Sequence, residues 1–373
     1  MNRVVSLILV DESGAVLGEL PPFEVATPWW QNLGEIDDRY QVLRLLHGDR
    51  ATPPGGHVTY LAQTDQRPDG LRPVQVELRK EPKRAAYAEP GGPAASIAWA
   101  RETLGATVTA HQTRTWNLSA IWRFDDDGTP VAWLKQVPAF FAHEPAAIRL
   151  VEAVAPGLVP PLLAVGPHGR MLLAHVPGAD RYGAGAELCA QIAEAFHPVQ
   201  EHFCSEEIGG IPAGPRDLAP VARPYLDEID GLRELIDDLP RRWAEIDACG
   251  LPDTLVHGDL HPGNVRTGPD GKPTIMDWGD CSIGHPGFDI LRLTGGLDPA
   301  EQDEVLTAWA ARWTRSVPGS DPRRAAELLR PVAALRDATV YAGFVAAIEP
   351  AEAPYHASDV PAALAAAASI VKE

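Results

Sequence analysis

The chain has 373 residues, 45% of them hydrophobic, and a formal net charge of −19. That length allows two or three domains, and that apolar content supports a real core and argues against disorder throughout. The acidic surplus repels phosphate backbones, which argues against nucleic acid as a partner, and it tolerates a cationic ligand.

In chain order, "VVSLILV" at 4–10 reads as a strand, "DESG" as a turn and "AVLGEL" as a return strand. With acidic residues following and no small-residue cleavage site, this start is expected to be a strand and not a signal peptide. "HVTYLAQ" reads as strand. "PVQVELR" alternates, with Val74, Val76 and Leu78 on one face and Gln75, Glu77 and Arg79 on the other, and also predicts a strand. The Pro, Gly and charge content of "KEPKRAAYAEPGGP" at 80–93 predicts a linker. A helix over "AASIAWARETLG" follows. Next comes a hairpin of "SAIWRF" and "VAWLKQV" around "DDDGTP". "EPAAIRLVEAVAP" predicts a helix with Pro145 in its first turn and Pro156 ending it. "PLLAVG" and "RMLLAHV" make a second hairpin. From about 184 the pattern is helical, with a kink expected at Pro198. Short strands and loops occupy 255–280, and helices resume to the end.

The four cysteines, Cys189, Cys204, Cys249 and Cys281, form no CxxC pair, so a zinc ribbon or redox motif is not expected and a reducing cytoplasm fits. No apolar run approaches the roughly 20 residues that a membrane helix needs, so no membrane partner is expected. Lysine is rare: between Lys83 and Lys272 only Lys135 occurs, which suggests a position where Arg will not serve.

The stretch "HGDLHPGN" at 257–264, followed by "IMDWGD", sets Asp259, Asn264 and Asp277 on two adjacent loops. Asn264 and Asp277 offer hard oxygens suited to Mg2+ with bound phosphate. Asp259 is then left to accept a proton from an attacking hydroxyl. The spacing H-x-D-L-x-x-x-N is that of a kinase catalytic loop, and a later Asp at a strand end is its metal partner. Downstream of a strand lysine and a helix glutamate, the combination is far more specific than its short parts.

On these motifs the chain resembles the aminoglycoside phosphotransferase and choline-kinase-like group of small-molecule kinases, from about residue 94 to 370. "LVHGDLHPGNV" and "IMDWGDCSIGHPGFDI" carry the resemblance most specifically. It implies a loop-orienting role for His257 and a catalytic base in Asp259. Asn264 and Asp277 become the magnesium ligands, and Asp289 an aspartate that braces the catalytic loop. "VAWLKQVPAFFAHEPAAIRLV" is similar to the strand-lysine and helix-glutamate pair, with Lys135 on the α- and β-phosphates and Glu144 holding it; Glu152 is the competing partner. "RMLLAHVPG" resembles the hinge, whose backbone at His175 and Val176 would meet adenine. Where a Gly-rich phosphate loop belongs, the chain has "TRTWNLSAIW", in which Asn117 and Ser119 are the candidate donors. ATP and GTP both remain open.

The resemblance implies an α+β, bilobal protein-kinase-like fold with a β-rich N-lobe and a helical C-lobe. The extra N-terminal β-rich cap is similar in architecture to those of glucosamine kinases and maltokinases. The expected domains are 1–93 for cap and linker, 94–178 for the N-lobe and 179–373 for the C-lobe. Between Asp277 and Asp289 there is no room for a long activation loop, so a walled small-molecule pocket is expected. Asp280, Glu349 and Glu352, with Tyr355 and His356 close by, are candidate substrate residues, suited to ammonium groups of an amino sugar or aminoglycoside-like acceptor. The expected activity is Mg2+-dependent transfer of a γ-phosphoryl group to a small-molecule hydroxyl. The rival is a nucleotide-binding pseudokinase acting as an interaction module, against which the complete set of polar residues argues.

Overall fold

The structure is a computed structural model and describes residues 2–52 and 54–371. The described residues of Met1–Ala142, Leu162–His175 and Gly343–Ser358 form one compact unit, and those of His143–Pro161, Val176–Ala342 and Asp359–Glu373 form a second.

The first unit holds two sheets. In one, β1 (Arg3–Val10) pairs with β2 (Val16–Glu19) and β3 (Phe23–Val25), and runs parallel to β5 (His57–Gln63), which pairs with β4 (Gln41–Gly48). β1 is almost wholly buried because both faces are covered. Val5, Leu7 and Leu9 pack with Val25, Trp30 and Tyr60, whereas Ile8 and Val10 pack with Leu43 and Leu61. Val74, Val76 and Leu78 lie on this second face, but their segment has no ladder partner and is not the strand that its alternation predicts. Alternation specifies which side chains are buried together; it does not supply a neighbour for the backbone.

After α1 (Gly92–Leu104) comes an antiparallel sheet in the order β6 (Thr109–Trp116), β7 (Ser119–Asp126), β8 (Thr129–Gln136), β10 (Arg170–Ala174) and β9 (Leu162–Gly166). The two sheets are tied directly. The Gln112 side chain accepts from the Val42 amide at 2.7 Å and donates to the Val42 carbonyl at 2.8 Å, as a strand partner would. The segment expected as a linker is also tied in: Arg44 donates to the Ala88 carbonyl, the Gly91 amide donates to Gln63, and Tyr87 is buried and bonded to the Trp116 carbonyl. The boundary expected at 93/94 therefore falls inside one compact unit.

The second unit is mainly helical, with α2 (Glu144–Val154), α3 (Ala186–His202), α4 (Ala219–Ala222), α5 (Leu232–Ala248), α6 (Gly287–Thr294), α7 (Pro299–Ser316), most of α8 (Pro322–Ala347) and α9 (Asp359–Ile370). α2 starts with Pro145 in its first turn, where a missing amide hydrogen is not needed. α3 continues through Pro198. α7 starts with a capping box between Asp298 and Glu301. The short strands are β11 (Ala179–Asp180), β12 (Thr254–Val256), β13 (Val265–Thr267), β14 (Pro273–Ile275) and β15 (Ser282–Gly284). β12 pairs with β15, and β13 with both β11 and β14. Among the described residues no helix is long and apolar enough to cross a membrane.

Candidate active site

"HGDLHPGN" leaves the end of β12, makes a 3-10 turn at Pro262–Asn264 and enters β13. Its sharp bend rests on Gly258, which has a φ of +87° and whose missing Cβ would lie 2.1 Å from the Asp280 carbonyl oxygen. No side chain fits there. β13 pairs with β14 in a register that sets Val265 opposite Ile275, and the Met276 amide donates to the Asn264 carbonyl at 2.7 Å. Asn264 and Asp277 are thereby brought to the same end of one hairpin. Asp277 is exposed and left-handed, with a φ of 62°, a conformation that Asp adopts more readily than most residues.

His257 is fully buried. Its Nε2 donates to the Met276 carbonyl at 2.8 Å, its ring packs edge-on against Trp278, and its Nδ1 faces the Asp259 amide at 3.3 Å. That arrangement needs a neutral ring protonated on Nε2, and burial lowers the His257 pKa accordingly. The imidazole thus joins the loop to the strand that leads to Asp277.

Asp289, in the first turn of α6, is buried beneath the loop. Its Oδ2 accepts from the His257 amide at 2.9 Å and from Gln200 Nε2 at 3.0 Å, and its Oδ1 accepts from the Gly258 amide at 2.9 Å. Burial raises its pKa, opposed by His257 and these amides. Three donors around two oxygens suit the ionised form.

Asp259 has its two oxygens in different settings. Oδ2 accepts from Asn264 Nδ2 at 3.1 Å, and Oδ1 accepts from Arg292 Nε at 2.7 Å. Asn264 Nδ2 also donates to the Asp259 carbonyl, which turns its amide oxygen away from Asp259. His261 Nε2 stands 3.6 Å from Oδ2, too long for a good hydrogen bond but close enough for electrostatic attraction. Burial raises the Asp259 pKa, but His261 and Arg292 together outweigh it and hold the carboxyl well below the usual range.

Arg292, Arg336 and Gln200 were not singled out from sequence. Arg336 is buried, donates to the Gly258 carbonyl at 3.2 Å and lies over the Phe288 ring. Arg292 had a signal: it is three residues after Asp289 on α6, on the same helical face.

The other expected residues lie on elements of both units. Lys135 is half-buried on β8, opposite Met171 and Ile121, in the first unit. Glu144 is buried at the start of α2 in the second, where its Oε1 accepts from the Trp278 amide at 3.1 Å. Glu152 accepts from the Gly157 amide near the end of α2. The His175 amide donates to the Val131 carbonyl at 2.9 Å. The Asn117 amide donates to Glu352 at 2.7 Å, and its side-chain oxygen accepts from the Glu349 amide. Ser119 Oγ accepts from Trp116. The Asn117 amide is thus committed inside the first unit, whereas accepting from Trp116 leaves the Ser119 hydroxyl hydrogen as a donor.

Glu349 and Glu352, expected to line a walled substrate pocket, are buried there too. Glu349 pairs with Arg84 at 3.0 Å, and burial pushes the Glu352 carboxyl up to about 8 against the pull of Asn117. Tyr355 packs on Trp30 with ring centroids 4.8 Å apart, and His356 lies against Trp116 and Phe344. Asp280 is half-buried in the turn after Asp277. A cavity of about 470 Å³ does open beside Asp259 in the second unit, lined by residues of α6, α7, α8 and α9, and Asp280 is not among them.

Comparison with solved structures places this chain in company of one fold. It resembles choline kinase LicA from Streptococcus pneumoniae, with TM-score 0.55 and 14% identity over 74% of this chain and 99% of that one. It also resembles macrolide 2'-phosphotransferase MphH from Brachybacterium faecium, with TM-score 0.51 and 18% identity over 72% and 97%. A third likeness is to ADP-bound aminoglycoside phosphotransferase APH(2'')-Ib, with TM-score 0.51 and 14% identity over 74% and 98%. At these identities the likeness shows the fold, which is kinase-like. No curated protein matches in sequence. The model of the phosphotransferase enzyme family matches residues 142–328, which include the whole loop from His257 to Asp289. With half of its length so matched, the chain belongs to the phosphotransferase enzyme family and is a small-molecule phosphotransferase.

Proposed function

We propose that the enzyme transfers the γ-phosphoryl group of ATP, with Mg2+, to a hydroxyl of a small molecule. The observation that carries this reading is Asp259: an ionised carboxylate on a braced loop, with Asn264 on one oxygen and, on the other, Arg292, which lines a cavity. In the reaction the acceptor oxygen bonds to the γ-phosphorus as the bond to the β–γ bridging oxygen breaks. The electron pair leaves with ADP, and the hydroxyl proton passes to Asp259. A carboxylate with so low a pKa is a weak base, so its main work is to orient the hydroxyl, as a loose transition state requires. Asp289 and His257 fix the backbone from which Asp259 projects.

Among the described residues no three His, Cys, Asp or Glu side chains gather as a metal site. The pair Asn264 and Asp277 fits Mg2+ nonetheless, because this ion takes few protein oxygens and completes its shell with phosphate and water. When bound it supplies charge neutralisation on the phosphates. Lys135 is proposed as the lysine for the α- and β-phosphates. ATP is preferred because a neighbour of the same fold is ADP-bound; no observation favours GTP. Glu349 and Glu352, two of the three acidic residues that suggested an amino sugar, are committed to Arg84 and Asn117.

Single-turnover transfer by Asp259→Asn, with nucleotide affinity measured alongside, tests the proposal. The expected loss is about two to four orders of magnitude in transfer with nucleotide binding kept. Near-normal transfer would refute it, and a wild-type protein that binds ATP but phosphorylates no acceptor would be an interaction module.

A further inference from the structure

The cavity beside Asp259 differs in charge from the chain around it. Acidic side chains outnumber basic ones by 51 to 32. Yet this cavity is lined by Arg292, Arg330 and Arg336 against one carboxylate, Asp337. Arg330, Ala333 and Asp337 recur at spacings of three and four on α8, so one face of that helix is turned to the cavity.

The three arginines are not equivalent. Arg336 is buried and holds the Gly258 carbonyl; it adds positive potential but is part of the loop's support. Arg292 is half-exposed and uses its Nε on Asp259. A guanidinium has five N–H donors, so its outer edge can bind a second anion while Nε stays on Asp259. Arg330 is exposed at the cavity wall and makes no ion pair among the described residues. Arginines that serve only the fold are usually matched by carboxylates. Here Asp337 lies 4.0 Å from Arg336 and Asp259 holds the Nε of Arg292, which leaves Arg330 and the outer edge of Arg292 for a ligand.

A volume of about 470 Å³ suits a small molecule, since such sites span roughly 300–1,000 Å³. Guanidinium forks match carboxylate and phosphate oxygens in pairs, and a partly enclosed cationic cavity concentrates anions. An ammonium substituent would meet like charge. The two oxygens of Asp259 also have different partners: Oδ2 faces Asn264, the proposed metal side, and Oδ1 faces Arg292, which lines the cavity. An anion on the outer edge of Arg292 sits one guanidinium away from the proposed base.

We propose that this cavity receives the phosphoryl acceptor by an anionic group, a carboxylate or a phosphate, held by Arg292 and Arg330, so that the substrate is a hydroxy acid or a sugar phosphate. The assignment of the ligand as acceptor rests on the catalytic reading of Asp259; the anion site itself does not.

The test is calorimetric titration of the full chain, with Mg2+ and a non-hydrolysable ATP analogue, by four ligands of one carbon skeleton: D-gluconate, D-glucose 6-phosphate, D-glucose and D-glucosamine. At least one anion should bind about tenfold or more tightly than D-glucose, and D-glucosamine should bind no better than D-glucose. Preference for gluconate identifies a carboxylate site, and preference for glucose 6-phosphate a phosphate site. Arg330→Gln should remove the preference, and Arg330→Lys should keep part of it. Equal binding of neutral and anionic sugars, tighter binding of glucosamine, an unchanged preference in Arg330→Gln, or binding by none of the four would overturn the proposal. Because this readout needs no transfer, an anion site found on a protein that phosphorylates nothing would refute the catalytic reading instead.

Discussion

Replacing Asp289 by Asn keeps the size of the side chain and exchanges one of two accepting oxygens for a donor. The least costly orientation retains the oxygen that serves His257 and Gln200 and turns the new NH2 toward the Gly258 amide. Two donors then face each other in a site that is 2% exposed. An unsatisfied buried donor costs about 1–3 kcal/mol, and each surviving bond loses about 1 kcal/mol when its acceptor is no longer charged. Against this stands relief from burying a charge, which the raised pKa of Asp289 reports. The net expectation is a destabilisation of about 2–4 kcal/mol, large beside a typical total of about 5–15 kcal/mol. Denaturant unfolding measures the global part. Hydrogen exchange of a peptide spanning 254–264 measures the local part, where protection should fall about 30- to 1,000-fold. Transfer should fall with it, because the loop carrying Asp259 loses its brace. Unfolding unchanged within about 0.5 kcal/mol, together with unchanged exchange, would refute the argument.

Asp277→Asn should abolish the magnesium dependence of ATP binding with little change in melting, since Asn tolerates the left-handed backbone; titration with and without Mg2+ checks this. Lys135→Met should weaken ATP binding by about ten- to a hundredfold, the effect of losing a charged hydrogen bond; an unchanged Kd would exclude Lys135 from the phosphates. Glu352→Gln should flatten the pH dependence of stability. The folded protein keeps this proton up to about 8, whereas the unfolded chain releases it near 4.5, so wild-type stability falls as pH rises between those values. The fall removed is at most about 5 kcal/mol, and urea unfolding across that range would show it.

Where structure is local, the sequence is explicit. The hairpin of β7 and β8 follows from alternation on either side of "DDDGTP", and α2 from its early proline and apolar periodicity. The residues at 74–78 show the limit: the buried face was legible, but hydrogen bonding depends on a neighbour that no local pattern names. Composition misleads in a related way at 80–93. Pro and Gly signal turns, yet turns can be packed, as Tyr87 and the bond from Arg44 to Ala88 show. The return of residues 343–358 to the first unit has no local sign at all, because Glu349 and Arg84 are 265 positions apart in sequence.

The candidate site divides along the same line. His257, Asp259 and Asn264 occupy one loop, so their spacing alone announces a cluster of polar groups. The hydrogen bonds to Asp289 and the contact with Arg292 join segments about thirty residues apart; the brace from Asp289 was expected only through the family resemblance, and Arg292 could have followed from its i, i+3 relation to Asp289. Net charge is a coarse guide. A value of −19 averages over the whole surface, and it suggested a cationic ligand. A ligand responds to the groups within a Debye length, about 10 Å at 0.1 M salt, and the wall of the cavity carries Arg292, Arg330 and Arg336. An acidic exterior is compatible with such a cavity, since distant surface carboxylates are screened while the arginines act at contact.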